Sequence, residues 1–161
     1  MNNFTTFLDL INCVNIPLEL KELIEKCKNT PQTLEWHPEF FVYNHIEIVY
    51  DRALQTNDPD MIMCAFFHDL GKVEATKPHA TKPNTWPAHG HEHISAKLVL
   101  KYKDWIESYS ANSDNVYYLV KNHMRIKQID VMRKSKQDAL RQHNLFNKLL
   151  QFSEFDNMLN L

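Results

Sequence analysis

The scarcity of glycine is the feature that most constrains what this sequence can fold into. Gly71 and Gly90 are the two glycines among 161 residues. Hairpins and tight turns use glycine where φ must be positive, so a chain with so little of it has few of them. No segment alternates apolar and polar residues for long enough to predict a strand. The sequence therefore predicts an all-α fold, as a single domain over residues 1–161.

Capping signals and apolar periodicity predict about six to seven helices. Asp58 and Pro59 are typical of a helix start, and Gly71 is expected to end that helix. Residues 73–90 contain three prolines and are predicted to form a long loop, which in a compact domain is usually functional or mobile. The expected helices span about 17–28, 39–55, 59–70, 91–109, 113–127 and 136–158.

Composition narrows the class of protein. The net charge of −2 argues against a stable, non-specific nucleic-acid complex, although it does not exclude an RNA substrate. Cys13, Cys27 and Cys64 are odd in number and scattered, which favours reduced thiols over a disulfide framework. The first residues do not resemble a signal peptide, and the longest apolar run, 61–67, is too short to span a membrane. We expect a soluble, cytoplasmic protein with no membrane partner.

Five ionisable residues lie on the apolar stripes of five predicted helices. Each is three or four residues from core-type positions. One inward histidine is most simply a satisfied core residue, but burying five such groups is costly unless each has a partner. A shared cation would partner them all, so the pattern predicts a metal site. The five are His45, His68, His91, His123 and Asp156.

Asp69 directly follows His68, and neighbouring side chains on a helix diverge by ~100°. The two side chains can nevertheless occupy cis positions on one octahedral ion. Mixed nitrogen and oxygen ligands suit Mn, Fe, Co or Ni, with Mg weaker. The absence of cysteine ligands argues against a structural zinc site.

The HGHEH stretch, residues 89–93, offers two alternatives. His89 and His93 have the i, i+4 spacing of a metal-binding pair on one helical face. Only His91, however, shares the apolar stripe with Ile94 and Leu98. We favour His91 as the ligand and place His89 and His93 at the rim of a pocket or on the surface.

The motifs resemble those of the HD superfamily of metal-dependent phosphohydrolases. FFHDLGK, residues 66–72, is close to the central signature of that family, with His45 upstream and Asp156 near the end. WHPE (36–39), WPAHGHE (86–92) and AKLV (96–99) follow the order seen in the HD domain of bacterial CCA-adding tRNA nucleotidyltransferases. About 33 residues precede these motifs, too few for a nucleotidyltransferase domain. We therefore expect hydrolysis rather than nucleotide addition.

The resemblance implies a compact HD-domain helical bundle with one or two divalent ions. By analogy, His45, His68, Asp69 and Asp156 hold one ion. Family members with two further histidines, matched here by His91 and His123, hold a second ion bridged by the aspartate. The implied activities are those of a phosphatase, a 2′-nucleotidase or a 2′,3′-cyclic phosphodiesterase, acting on a phosphorylated small molecule or an RNA end.

In the hypothetical mechanism, a water activated by the ions attacks phosphorus, and Asp69 orients ions and nucleophile. Lys72 and Arg125 would hold phosphate oxygens, with solvated surface charge as the alternative for both. A basic segment, residues 121–141, could follow a nucleic-acid backbone, although a solvated helix face is the favoured explanation. Trp36, Trp86 and Tyr43 could stack a base, although core or loop packing is the default for them.

The sequence is also compatible with two other functions. A deoxynucleotidase or nucleoside-triphosphate hydrolase of the same superfamily would differ in the loop at residues 73–90. A non-catalytic binding module would retain metal for stability or ligand capture. Every expected metal-ligand residue is present, which argues against a non-catalytic module, because a site that had lost its activity would be expected to have lost some of these residues. The oligomeric state is not predicted.

Overall fold

The computed structural model describes residues 2–160, and the elements within that range are helices. The prediction of an all-α fold is confirmed: no strand occurs among the described residues, and one isolated β-bridge joins Pro31 to Phe41. Two 3₁₀ segments, Arg125–Val131 and Met158–Asn160, accompany ten α-helices. These are α1 (Phe7–Ile11), α2 (Leu18–Cys27), α3 (Val42–Leu54), α4 (Pro59–Phe67), α5 (Lys72–Ala75), α6 (His91–Lys101), α7 (Lys103–Glu107), α8 (Ser113–Asn122), α9 (Lys134–Gln142) and α10 (Phe146–Asp156).

The predicted count of six to seven helices was wrong because several breaks carry no glycine or proline. The expected helix 91–109 divides at Tyr102, and the expected helix 136–158 divides between Gln142 and Phe146. Apolar periodicity continues across such breaks, so the sequence shows one long pattern where the chain makes two helices. The short helices α1 and α5 were missed because one or two turns carry little periodic signal.

The centre of the fold is α4, which begins as the sequence predicts. The Asp58 carboxylate accepts hydrogen bonds from the backbone N–H groups of Asp60 and Met61, and Pro59 occupies the first turn. Every residue from Met61 to Phe67 is buried. A helix that is apolar on all sides must lie inside the domain, and α4 accordingly packs against α3, α6, α8 and α10.

No helix within residues 2–160 is both long and apolar enough to cross a membrane. The apolar run in α4 is buried in the core, where the rings of Phe66 and Phe67 pack against Trp105. The residues that follow this run are His68 and Asp69, so the fold carries these two polar side chains directly from the core into the site described below.

Both glycines have special roles, but not both of the expected kind. Gly90 lies before α6 with φ +78°, in the left-handed region that favours glycine. Gly71 was expected to end a helix, yet its φ of −63° is helical and any residue could adopt it. Its role is close packing: a Cβ at this position would lie 2.2 Å from the His91 carbonyl oxygen and 2.9 Å from the Ser95 nitrogen.

We predict that Gly71→Ala lowers the free energy of unfolding by about 2 kcal/mol, because the added methyl forces α6 away from the end of α4. Gly90→Ala is the matched control, since a Cβ there meets nothing within 4 Å and adds only backbone strain, about 1 kcal/mol. Urea unfolding of both variants measures the difference. An unchanged stability in Gly71→Ala would contradict the packing role.

Candidate metal centre

The six residues predicted as metal ligands converge on one point of the interior. His68 and His123 cap the C-terminal ends of α4 and α8, His91 begins α6, Asp156 ends α10, and His45 projects from α3. Asp69 follows His68. None of the six is more than 4% exposed. The structure therefore brings together every side chain that the sequence placed in the metal site.

The six side chains form two groups that share the Asp69 carboxylate. Asp69 Oδ2 lies 3.2 Å from His45 Nε2 and 3.4 Å from His68 Nε2. Asp69 Oδ1 lies 3.1 Å from His91 Nε2 and 3.4 Å from His123 Nε2. Asp156 completes the first group, its Oδ1 lying 2.7 Å from His45 Nε2 and 3.2 Å from His68 Nε2. Each oxygen of Asp69 thus faces a different pair of histidines.

The hydrogen bonds of the histidines determine which ring nitrogen carries the proton. The Nδ1 atoms of His68, His91 and His123 lie 2.6–2.9 Å from backbone carbonyl oxygens three residues earlier in the chain. A carbonyl oxygen can only accept, so each Nδ1 must donate a proton. In a neutral ring, Nε2 is then an unprotonated lone pair pointing into the cluster.

The fourth histidine is held differently. His45 Nδ1 donates to Glu39 Oε1 at 2.9 Å, and His37 Nδ1 donates to the same oxygen, also at 2.9 Å. Burial raises the pKa of Glu39, but the hydrogen bonds from the two histidines outweigh this and lower it to about 2. Glu39 is therefore ionised, and a histidine that donates to a carboxylate is a more basic ligand than one that donates to a carbonyl.

The resulting arrangement requires positive charge at its centre. His45 Nε2 and His68 Nε2 are 3.2 Å apart, and so are the Nε2 atoms of His91 and His123. Two lone pairs at that distance repel each other unless a proton or a metal ion lies between them. Four imidazole nitrogens and two carboxylates are donors that suit a first-row divalent ion, so the residues present fit such an ion in both groups.

The charges of the cluster support the same conclusion. Burial raises the pKa of Asp69 and Asp156, but neighbouring cations outweigh burial and hold both pKa values well below the usual range. Burial lowers the pKa of His68, yet the two aspartates more than compensate and raise it to about 9. For His123 burial dominates and lowers the pKa to about 4, which keeps that ring neutral. The aspartates therefore remain ionised and attract a cation.

Two lysines balance the aspartates from outside the cluster. Lys72 Nζ lies 2.9 Å from Asp69 Oδ2 and also donates to Gln32 Oε1 at 2.7 Å. Lys127 Nζ lies 2.7 Å from Asp156 Oδ2. Lys127 contacts the Asp156 oxygen that is not within reach of the histidines, whereas Lys72 contacts the same Asp69 oxygen that His45 and His68 face. Each lysine therefore orients the carboxylate that it contacts.

Two adjoining clefts open towards the centre. The first, about 610 Å³, is lined by Lys72 and His91 and by the predicted site residue Arg125. The second reaches Asp156 and Lys127. The two clefts share Trp36, His37 and Met124 in their walls. His89 and His93 also line the first cleft, and the His93 side chain is 62% exposed, so both lie at the rim rather than in the cluster.

Comparison with known proteins shows the family of this chain. The profile of the HD domain family matches residues 42–158. The chain belongs to the HD domain family. It is 30% identical to the multifunctional CCA protein of Janthinobacterium sp. (strain Marseille) over an alignment of 135 residues that covers 78% of this chain. The alignment covers 31% of that relative, so the chain spans about a third of its length. No solved structure matches significantly.

Membership of this family means that the chain is related to metal-dependent phosphohydrolases, and its buried cluster of histidines and aspartates can bind metal. Three contributors to this HD centre were missed from sequence: Gln32, Glu39 and Lys127. The first two lie in the segment before α3, where helical periodicity gives no information. Lys127 lies in the 3₁₀ segment Arg125–Val131 and belongs to the basic segment 121–141, for which a solvated helix face was the favoured explanation from the sequence. WHPE, which contains Glu39, was the one available signal.

We predict that Glu39→Gln weakens the binding of one of two ions by about 10- to 100-fold, because a neutral amide oxygen can still accept from His45 but no longer makes the ring more basic as a carboxylate does. The ion at His91 and His123 should be unaffected. The measurement is a titration of the chelator-treated protein with Mn²⁺ or Co²⁺, analysed for two sites.

Glu92→Gln is the matched control for this titration. Glu92 lies 3.7 Å from His91 Nδ1, which already donates to the Ala88 carbonyl oxygen at 2.9 Å. Its substitution should leave both affinities unchanged. Equal losses at both sites in Glu39→Gln, or no loss at either, would contradict the assigned role of Glu39.

Proposed function

We propose that this HD domain is a metal-dependent phosphohydrolase with a two-ion site, acting on phosphate esters of nucleotides or on RNA ends. The observation that carries the proposal is the position of Asp69, whose two oxygens face two separate pairs of histidines. This is the geometry expected of a carboxylate that bridges two ions. His45, His68 and Asp156 would hold one ion, and His91 and His123 the other.

Divalent ions at such a site would supply Lewis acidity, lowering the pKa of water and neutralising phosphoryl oxygens. In the reaction, a water oxygen forms a bond to phosphorus, the bond from phosphorus to the ester oxygen breaks, and the proton that the water loses is taken by the leaving alcohol. The protein supplies fixed ligand positions for this step. The carbonyl partners of His68, His91 and His123 keep each ring from rotating, so that little reorganisation is needed.

Lys72 has a dual role in this proposal. Its ammonium has three donors, and two of them are used by Asp69 and Gln32. Lys72 also lines the first cleft, so the third donor is available to a phosphate oxygen of the substrate. It would thus orient the shared carboxylate and neutralise charge on the phosphoryl group. Arg125, in the wall of the same cleft, would contact phosphate oxygens farther from the ions.

The choice of nucleotides or RNA ends rests on sequence similarity and on two features of the clefts. The motifs resemble those of CCA-adding enzymes, and the chain is similar to a multifunctional CCA protein. The first cleft also has the volume of a site for a nucleotide-sized ligand. Trp36, 57% exposed and shared by both clefts, offers an aromatic surface on which a base can stack.

We predict that Asp69→Ala abolishes both metal binding and hydrolysis, because it removes the one side chain common to both groups. His93→Ala is the control: its ring is at the cleft rim and its loss should change neither. Metal content by elemental analysis, together with hydrolysis of an aryl phosphate, measures both effects. Full activity in Asp69→Ala would refute the two-ion mechanism.

A substrate panel assayed with added Mn, Ni, Co or Mg separates the candidate activities. We expect turnover of 2′,3′-cyclic AMP or 2′-AMP to exceed that of 5′-dAMP and dATP. Preference for the last two would favour a deoxynucleotidase or triphosphate hydrolase. Stoichiometric metal with no turnover of any substrate would identify a non-catalytic binding module.

A further inference from the structure

Lys121 and Arg125 lie in the wall of the first cleft, two residues before and two residues after His123. Both are exposed, whereas the His123 ring between them is buried, with Nε2 3.4 Å from Asp69. The chain therefore places one cationic residue on each side of a histidine of the centre, both in the wall of the same cleft. Lys72 contributes a third cation deeper in that cleft, next to Asp69.

Neither cleft-wall cation is paired with a carboxylate among the described residues, and the Lys121 ammonium lies 5.6 Å from the centroid of the Tyr117 ring. Within residues 2–160, no carboxylate oxygen lies within 4.0 Å of Lys121 or Arg125, whereas Lys72 and Lys127 each contact an aspartate. Among the residues that the structure describes, Glu92 is the one acidic residue that lines the cleft, and its carboxylate oxygens lie 3.5 Å from His93 Nε2 and 3.7 Å from His91 Nδ1. The cleft is thus positive in a chain whose net charge is −2.

The cleft is larger than a single phosphate needs. Its volume of about 610 Å³ is in the range that accommodates ligands of nucleotide size or more. The wall that carries Trp86 is tied to the segment before α3, since the Trp86 N–H donates to Thr33 Oγ1 at 2.9 Å. A ligand in this space would have its reacting phosphate at the ions, and the remainder of it would lie beside Lys121 and Arg125.

We propose that Lys121 and Arg125 form a subsite for a second phosphate, so that preferred substrates carry one phosphate more than the one that is hydrolysed. This inference rests on the proposed phosphohydrolase function and narrows its substrate class. The guanidinium can bind phosphate oxygens through two parallel hydrogen bonds, and the ammonium adds a mobile point charge. The second phosphate is either a further monoester on a nucleotide or the phosphodiester that links the terminal nucleotide to an RNA chain.

The test compares ligands that differ by one phosphate. One pair is 2′-AMP and adenosine 2′,5′-bisphosphate; the other is 2′,3′-cyclic AMP and a diadenylate that ends in the same cyclic phosphate. The proteins are the metal-loaded wild type, the double variant Lys121→Ala/Arg125→Ala and the control Arg133→Ala/Lys136→Ala. The control removes the same charges from exposed positions of the same basic segment that do not line the cleft. Both kcat/KM and the equilibrium dissociation constant are measured.

We expect the second phosphate to improve kcat/KM and affinity by about tenfold or more in the wild type and in the control. In the Lys121→Ala/Arg125→Ala variant the ratio of these values between the two-phosphate and the single-phosphate ligand should fall to about one, whatever loss the two ligands share. A gain confined to the bisphosphate would identify a nucleotide substrate, and a gain confined to the diadenylate would identify an RNA end.

The failures of the two proposals are distinguishable. Hydrolysis without any advantage from the second phosphate, or an equal loss in the control variant, overturns the subsite and leaves the phosphohydrolase intact. Tighter binding of two-phosphate ligands that depends on Lys121 and Arg125, without hydrolysis of any ligand, supports the subsite as a binding site and overturns the catalytic proposal. Equal binding of all ligands without hydrolysis overturns both.

Discussion

The carboxylate of Asp69 is the group on which the rest of this site depends. Four imidazole nitrogens lie 3.1–3.4 Å from its two oxygens, and three of those rings are fixed by backbone carbonyls so that their lone pairs face inward. Such an array is unfavourable without positive charge at its centre, because lone pairs and carboxylates cannot stabilise one another. The helix ends that meet here are therefore held together best when a cation is bound.

The fold supports this array from its apolar side. α4 is buried from Asp60 to its end at Phe67, and the residues directly after it are His68 and Asp69. The Phe152 ring packs against His68 at a centroid distance of 5.0 Å, which keeps water from that side of the cluster. Charges in such surroundings interact more strongly than in water. The side that carries Lys72 and Lys127 is the side on which the two clefts open.

Helical periodicity in the sequence was enough to identify the histidine and aspartate side chains that face the interior. The apolar stripe through Ile94 and Leu98 selected His91 over His89 and His93, and the structure buries His91 while leaving the His93 side chain largely exposed. Asp156 was found in the same way, 87 residues after Asp69. These positions were predictable because each lies on or at the end of a helix, where spacing in the sequence determines direction in space.

The sequence did not predict the roles of residues that lie outside the α-helices or that act through tertiary packing. Glu39 precedes α3 in irregular structure, so nothing in its spacing indicated a bond to His45. Lys127 lies in a 3₁₀ segment, and its contact with Asp156 joins residues that are distant in sequence. Gly71 has ordinary helical backbone angles, and position 71 requires glycine because the backbone of α6 lies too close to leave room for a Cβ. Such contacts become visible only when the helices are assembled.

The most direct test of this account is anomalous X-ray diffraction from crystals of the protein grown with Mn²⁺. We predict two ions about 3.5–4 Å apart, one bound by His45, His68 and Asp156 and the other by His91 and His123, with Asp69 bridging them. A single ion that leaves His91 and His123 unbound would contradict the two-ion site. An ion-free cluster would contradict the central claim that the buried histidines and aspartates are arranged to hold a cation.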